Sequence, residues 1–263
     1  MKSCALAGAL LALLFVSGVA EAGDRAVYKA PSPLSGAAAS GVFYAGLSLG
    51  GRWSDTDWMT TAIGSPPSPP NFGPANPASF GSSTVRIGGY VGYMWRIAPI
   101  WVVGIEGDIA WGDGSKTIAG IPGTCCGGIA GVKQDWDSSI RGRFGFLVTP
   151  SWLVYGTGGI AWQSLEIDAA CGAKGSFCNS AHSESVSSTE AGWTVGAGIE
   201  VMLRRNWLVR LEYRFADYGR LGHTFFASPP GDRVVMNEAL QTQTLLVGFA
   251  YKLGPPSPLV AQR

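Results

Sequence analysis

The stretch Trp136-Asp137-Ser138-Ser139-Ile140-Arg141-Gly142-Arg143-Phe144-Gly145-Phe146-Leu147-Val148-Thr149 repeats every two residues. Its even positions, Trp136 to Val148, hold five large apolar side chains in seven places, and its odd positions hold one, Leu147. A period of two with unlike sides is a β-strand that separates two environments. Trp207 to Ala216 repeats the pattern, with Trp207, Val209, Leu211, Tyr213 and Phe215 against Leu208, Arg210, Glu212, Arg214 and Ala216. A helix would mix the two sets.

The same template along the chain predicts eight strands, at 41–54, 83–95, 100–112, 136–149, 152–166, 190–203, 207–218 and 239–253. Both faces of the fifth are apolar, and Trp152, Val154, Ile160 and Trp162 are taken as its outer set. Each is longer than the roughly 9–11 residues that a tilted strand needs to cross a bilayer. The connections alternate. Arg96 to Pro99, Pro150-Ser151 and Arg204-Arg205-Asn206 are short, whereas 55–82, 113–135, 167–189 and 219–238 run to 20–28 residues. Strict alternation puts the short turns at one end of an up-and-down meander, the pattern of outer-membrane barrels with short periplasmic turns and long external loops. The expected fold is therefore all-β, an eight-stranded antiparallel up-and-down transmembrane barrel with four long external loops.

A soluble barrel or sandwich with its apolar face inward is the competing reading. Eight strands with about five bulky residues each would have to pack roughly forty of them into a lumen only wide enough for side chains to fill. The opposite faces instead carry Gly46, Gly50, Gly88, Gly92, Gly196, Gly198 and Gly248 among polar residues, as a crowded interior requires. Trp53, Trp95, Trp101, Trp111, Trp152 and Trp207 fall near strand ends, where interfacial aromatic girdles sit. Composition agrees: 14% of the 263 residues are charged against roughly 25% in soluble domains, with 38 Gly and ten Trp. That profile argues against disorder, coiled coil and helical bundle, and a net charge of +1 gives no reason to expect nucleic acid.

The N-terminus reads as an export signal at 1–22. Lys2 is the basic region, Leu6 to Val16 the apolar core and Ala20-Glu21-Ala22 the small-x-small cleavage pattern. A periplasmic linker at 23–40, the barrel at 41–253 and a tail at 254–263 follow. Elsewhere the longest apolar run, Ile97 to Ile105, is stopped by Glu106, far short of a membrane helix. Outer-membrane lipid and lipopolysaccharide are then the expected surroundings, with no cofactor and no metal.

Four segments carry a resemblance. These are Val27-Tyr28-Lys29-Ala30-Pro31 followed by Phe43-Tyr44-Ala45-Gly46-Leu47-Ser48-Leu49-Gly50-Gly51-Arg52-Trp53; Tyr155-Gly156-Thr157-Gly158-Gly159-Ile160-Ala161; Arg210-Leu211-Glu212-Tyr213-Arg214-Phe215; and Leu246-Val247-Gly248-Phe249-Ala250-Tyr251-Lys252-Leu253. In order and spacing they resemble the alphaproteobacterial outer-membrane immunogenic (opacity-type) proteins over nearly the whole mature chain. The resemblance implies a small, abundant, surface-exposed outer-membrane barrel with no catalytic residues. One departure concerns the barrel-insertion machinery, the expected partner, which reads a terminal aromatic residue in such proteins. Here Leu253 stands in its place and a ten-residue tail follows, so either insertion tolerates the tail or the signal is internal, at Phe249 and Tyr251.

Three patterns resemble catalytic chemistry by letter only. Gly46-Leu47-Ser48-Leu49-Gly50 matches the G-x-S-x-G nucleophile elbow but sits mid-strand, where the sharp strand-to-helix turn cannot form. Gly114-Ser115-Lys116-Thr117 lacks the first glycine of a P-loop. His182-Ser183-Glu184 holds a base, a nucleophile and an orienter, yet adjacent residues of a Ser-rich loop read first as solvated polar groups. Cys125, Cys126, Cys171 and Cys178 fall in the second and third external loops. Exported cysteines favour disulfides over zinc, and of the three pairings Cys171 with Cys178 closes a short loop.

The remaining constellation is the lumen face: Arg86, Arg141, Arg143, Arg210 and Arg214 against Glu106, Asp108, Glu200 and Glu212. Paired, these residues close the barrel and leave a structural, surface-exposed, non-enzymatic protein; unpaired, the arginines line the narrow pore of a small porin. An outer-membrane lipid-modifying enzyme is a more distant alternative. Oligomeric state is left open.

Overall fold

The computed structural model describes residues 41–64, 77–124, 127–172, 178, 180–204, 206–228 and 232–253. The expected signal peptide, linker and tail, and Cys125 and Cys126, lie outside them. Eight strands follow in order: β1 (Val42–Ile63), β2 (Ala78–Arg96), β3 (Trp101–Ala119), β4 (Ile129–Thr149), β5 (Trp152–Cys171), β6 (His182–Arg204), β7 (Trp207–Phe225) and β8 (Val234–Leu253). Each pairs antiparallel with its neighbours, and β1 with β8 closes the ring, as the meander pattern predicts.

The membrane-spanning part is set by which residues cannot hide from lipid. Leu47, Val91, Ile105, Ile140, Ile160, Leu211 and Val247 point outward and are exposed on a band about eleven residues tall per strand. Aromatic residues edge it. Trp101 stacks on Phe144 and Trp207 on Phe249 near the short turns, while Trp53, Trp111 and Trp193 mark the far edge. Inward-facing glycines make room for large side chains: a Cβ at Gly92 would lie 2.3 Å from the Tyr44 ring, and one at Gly248 would lie 2.8 Å from the Arg210 side chain.

One expectation is corrected. The strands run to 19–23 residues and continue well past the far aromatic edge, so the long connections shrink to 64–77, 120–128, 172–181 and 226–233. Polarity inverts there. In β1 the outward residues become Asp55 and Asp57, and the inward ones become Thr56, Trp58 and Thr60. Outside the bilayer water lies beyond the wall, so the apolar side chains turn inward. Register shifts at Trp111/Gly114, Lys133/Asp137 and Asp217/Arg220 gather at this level, each a bulge that bends and re-twists its strand.

Above the bulges two seams of the ring are unpaired. The β2–β3 ladder ends at Ile87–Trp111 and the β6–β7 ladder at Trp193–Asp217, although all four strands go on. The outer half is thus two four-stranded sheets, β3-β4-β5-β6 and β7-β8-β1-β2, with an apolar core between them that includes Trp58, Phe80, Leu165, Phe225, Met236 and Leu240. Trp58 is fully buried and stacks on Phe225 at 5.7 Å. A second cluster, with Tyr44, Tyr90, Met94, Leu153 and Leu208, fills the lumen near the short turns.

Candidate functional site

Between the two apolar clusters lies the polar layer. Alternation along β2, β3, β4, β6 and β7 turns all nine predicted lumen charges inward, and each is buried. Glu106 is the hub. Arg141 Nη2 donates to its Oε1 at 2.6 Å, Arg143 Nη1 lies 3.4 Å from Oε2, and Arg210 Nη1 also binds Oε2. Asp108 accepts from Arg86 Nη2 at 2.6 Å and Arg214 Nη1 at 2.9 Å, and also from Ser139 Oγ. Glu212 accepts from Arg141 Nη1 at 2.5 Å, Arg214 Nη2 at 3.0 Å and Tyr155 Oη at 2.7 Å. Arg143 Nη2 completes the set by donating to Glu200 Oε2 at 3.0 Å. All nine belong to one connected network.

Several members were not anticipated. Asp137 chelates Arg86 through Nε and Nη2, and Arg52 Nη1 donates to its Oδ1 at 2.9 Å, which extends the network to β1. Asp137 shares the polar face of Arg141 and Arg143 in the alternating pattern, so the signal for it was present. Arg52 had a weaker one, a single cation at the end of a glycine-rich face. Tyr44 donates to Glu106 Oε2 at 2.8 Å and accepts from Arg143 Nη1. Guanidinium groups also lie on aromatic faces: Arg143 is 4.0 Å from the Tyr155 ring centroid and Arg210 is 3.6 Å from that of Tyr90.

This arrangement suits charges removed from water. Each carboxylate meets more than one donor, except Glu200, and bidentate or shared guanidinium contacts are the strong kind. Removing one partner strands the rest, so the energetic weight lies in completeness.

The letter-level catalytic patterns do not assemble. Ser48 lies mid-strand in β1, facing the lumen and buried. His182 and Glu184 face inward from β6 while Ser183 faces out. Glu184 Oε2 accepts the Phe226 backbone N–H at 2.6 Å, and His182 Nε2 meets both Ser180 Oγ at 2.8 Å and Asp232 Oδ2 at 2.9 Å. A proton relay needs its two partners on opposite ring nitrogens. Gly114 to Thr117 belongs to β3. Cys171 and Cys178 are joined in a disulfide, as the spacing favoured. No group of three or more metal-ligating side chains occurs among the described residues.

Residues 9–252 match the family model described as the outer membrane protein beta-barrel domain. The chain is 32% identical over 179 residues to the 31 kDa outer-membrane immunogenic protein of Brucella melitensis, covering 65% of this chain and 70% of the relative. It is 27% identical over 209 residues to the 25 kDa outer-membrane immunogenic protein of Brucella abortus, covering 80% and 77%. Among solved structures, the outer membrane protein OprG from Pseudomonas aeruginosa aligns over 82% of this chain and 98% of its own, with 12% identity and a TM-score of 0.47. The resemblance carried by the four quoted segments thus extends through almost the whole sequence, and the chain belongs to the outer-membrane β-barrel protein family and is a protein of the outer membrane.

Proposed function

We propose that this protein is a non-enzymatic structural and surface component of the outer membrane, with a lumen closed by charge pairs and a function exercised through its outer surface. The observation that carries this reading is Glu106, held by Arg141, Arg143 and Arg210 from β4 and β7 at once. Guanidinium groups lining a pore would be hydrated. Here they are spent on carboxylates and tyrosines, with apolar layers above and below. The relatives' names, outer-membrane immunogenic proteins, favour a surface role. Lipid and lipopolysaccharide surround the wall in this reading, and the insertion machinery reads the outward Phe249 and Tyr251 close to the chain's last strand residue.

Planar-bilayer recording tests it. Purified protein is expected to give no stable open channel, and steady ion conductance would replace this reading with the small porin. An unchanged lipid A mass spectrum on expression is expected as well; a new lipid A species would favour the lipid-modifying enzyme.

A further inference from the structure

The wall above the membrane has a gap with definite ends. β6 and β7 are hydrogen-bonded up to Trp193–Asp217, where their ladder stops. Beyond it β6 is paired only with β5, as far as Cys171–His182, and β7 only with β8, as far as Phe225–Val234. Side chains close the rim again: Glu184 accepts the Phe226 N–H, and His182 meets Asp232. At Gly192 the β7 backbone still lies against β6, where a Cβ would meet the Asp217 carbonyl at 2.2 Å; between that contact and the clasp, residues 185–191 form a free strand edge roughly 23 Å long at the usual rise per residue. Successive residues of a strand direct their N–H and C=O groups to alternate sides, so half of this stretch offers its backbone to the gap.

Two acids near enough for their charges to interact, Glu190 and Glu238, lie on the inner face at this level without a cation. Glu190 faces inward from β6 and is half-buried. Glu238 of β8 is 2% exposed, and neither of its carboxylate oxygens has a hydrogen-bond partner. None of the ion pairs among the described residues includes either, in contrast to the saturated carboxylates of the membrane layer. A buried carboxyl with no partner keeps its proton, and a basic group set beside it would let it ionise as one half of a pair. The other open seam, β2–β3, differs: Lys116 lies on its β3 edge, and Thr84 Oγ1 bridges to the Asp113 carbonyl at 2.9 Å.

We propose that the free edge of β6 between Ser185 and Ala191 takes up an extended cationic peptide as an added strand, whose inward lysine or arginine completes the Glu190–Glu238 pair. Backbone hydrogen bonds supply affinity in such additions, and every second side chain supplies selectivity. A neutral or acidic strand leaves the two carboxylates unrelieved and is discriminated against.

The test uses the full-length protein in neutral-detergent micelles and a fluorescein-labelled, N-acetylated decapeptide of alternating valine and lysine. Anisotropy is expected to show saturable binding that the alternating valine–glutamate peptide does not reproduce. Glu190→Gln combined with Glu238→Gln is expected to weaken it at least tenfold. Amide hydrogen exchange of the unsubstituted protein is expected to slow at 185–191 on binding and not at 112–119. No saturable binding, equal affinity for the double variant, or protection at 112–119 instead would overturn the proposal.

Discussion

Arg214 of β7 and Asp108 of β3 stand four strands apart in a ring of eight, at the two ends of a diameter, and their side chains meet at 2.9 Å. One ion pair therefore spans the lumen. Arg210 and Glu106 repeat the crossing between the same two strands. Partners on opposite walls can meet only in the closed ring, so the network rewards closure and not the formation of any single hairpin.

The network's weight is measured by removing an acid that several arginines share. Glu212→Ala leaves Arg141 and Arg214 each short of a partner and is expected to cost about 3–5 kcal/mol, the range for breaking a buried pair. The heat-modifiable shift on unheated gels should move to lower temperature, with Glu212→Gln intermediate. An unchanged transition would mean that the layer contributes little to stability.

The outer apolar core is expected to fail separately. Trp58→Ala removes a fully buried ring stacked on Phe225 and should cost about 3–5 kcal/mol, a typical value for a large core aromatic. Since that core lies beyond the membrane belt, trypsin should cut faster at Lys116 or Arg220 while the embedded part keeps its heat-modifiable migration. Loss of the folded band with no change in cleavage would show one cooperative unit.

Glu238 gives the outer half a dependence on pH. Burial, with Glu190 nearby adding to it, pushes its carboxyl from an ordinary value near 4.5 up to about 8. The folded state holds the proton more tightly than the unfolded chain. The favourable contribution is therefore complete below about 4.5 and is lost as pH rises through about 8. The unfolding temperature should fall between pH 6 and pH 9.5, and Glu238→Gln should flatten that fall. A variant with the same slope as the parent would assign the dependence to other groups.

The Cys171–Cys178 bond closes a seven-residue separation at the tip of the β5–β6 hairpin. Loop-entropy arguments give it roughly 2–3 kcal/mol. Alkylation of denatured, non-reduced protein should leave these two cysteines unlabelled, and replacing both by serine should lower the unfolding temperature. Full labelling without reductant would contradict the bond.

Much of this architecture was legible in residue alternation, and its failures share one cause. The template sought apolar side chains on the lipid side, so it traced β4 from Trp136 and β7 to Tyr218. Beyond those points the bulges shift the register and the apolar face turns inward, as at Val132 and Phe225. The outer reaches of the strands thus read as loops. The nine lumen charges were found because they lie inside the belt, where polarity and direction agree. Tyr44, Tyr90 and Tyr155 were missed because a tyrosine on the inner face scores as apolar, although its hydroxyl or ring serves the arginines.

Because the wall itself, and not a set of loose tips, rises above the outer aromatic edge, a visitor from outside meets a firm, pleated surface. Neighbouring points on it are distant in the chain. Asp57 accepts from Ser79 Oγ at 2.6 Å, and one strand over, Asn237 lies across from Met59. A footprint on that surface is a mosaic drawn from several hairpins, readable only while the strands stay in register, and boiling erases it even though every peptide within it survives.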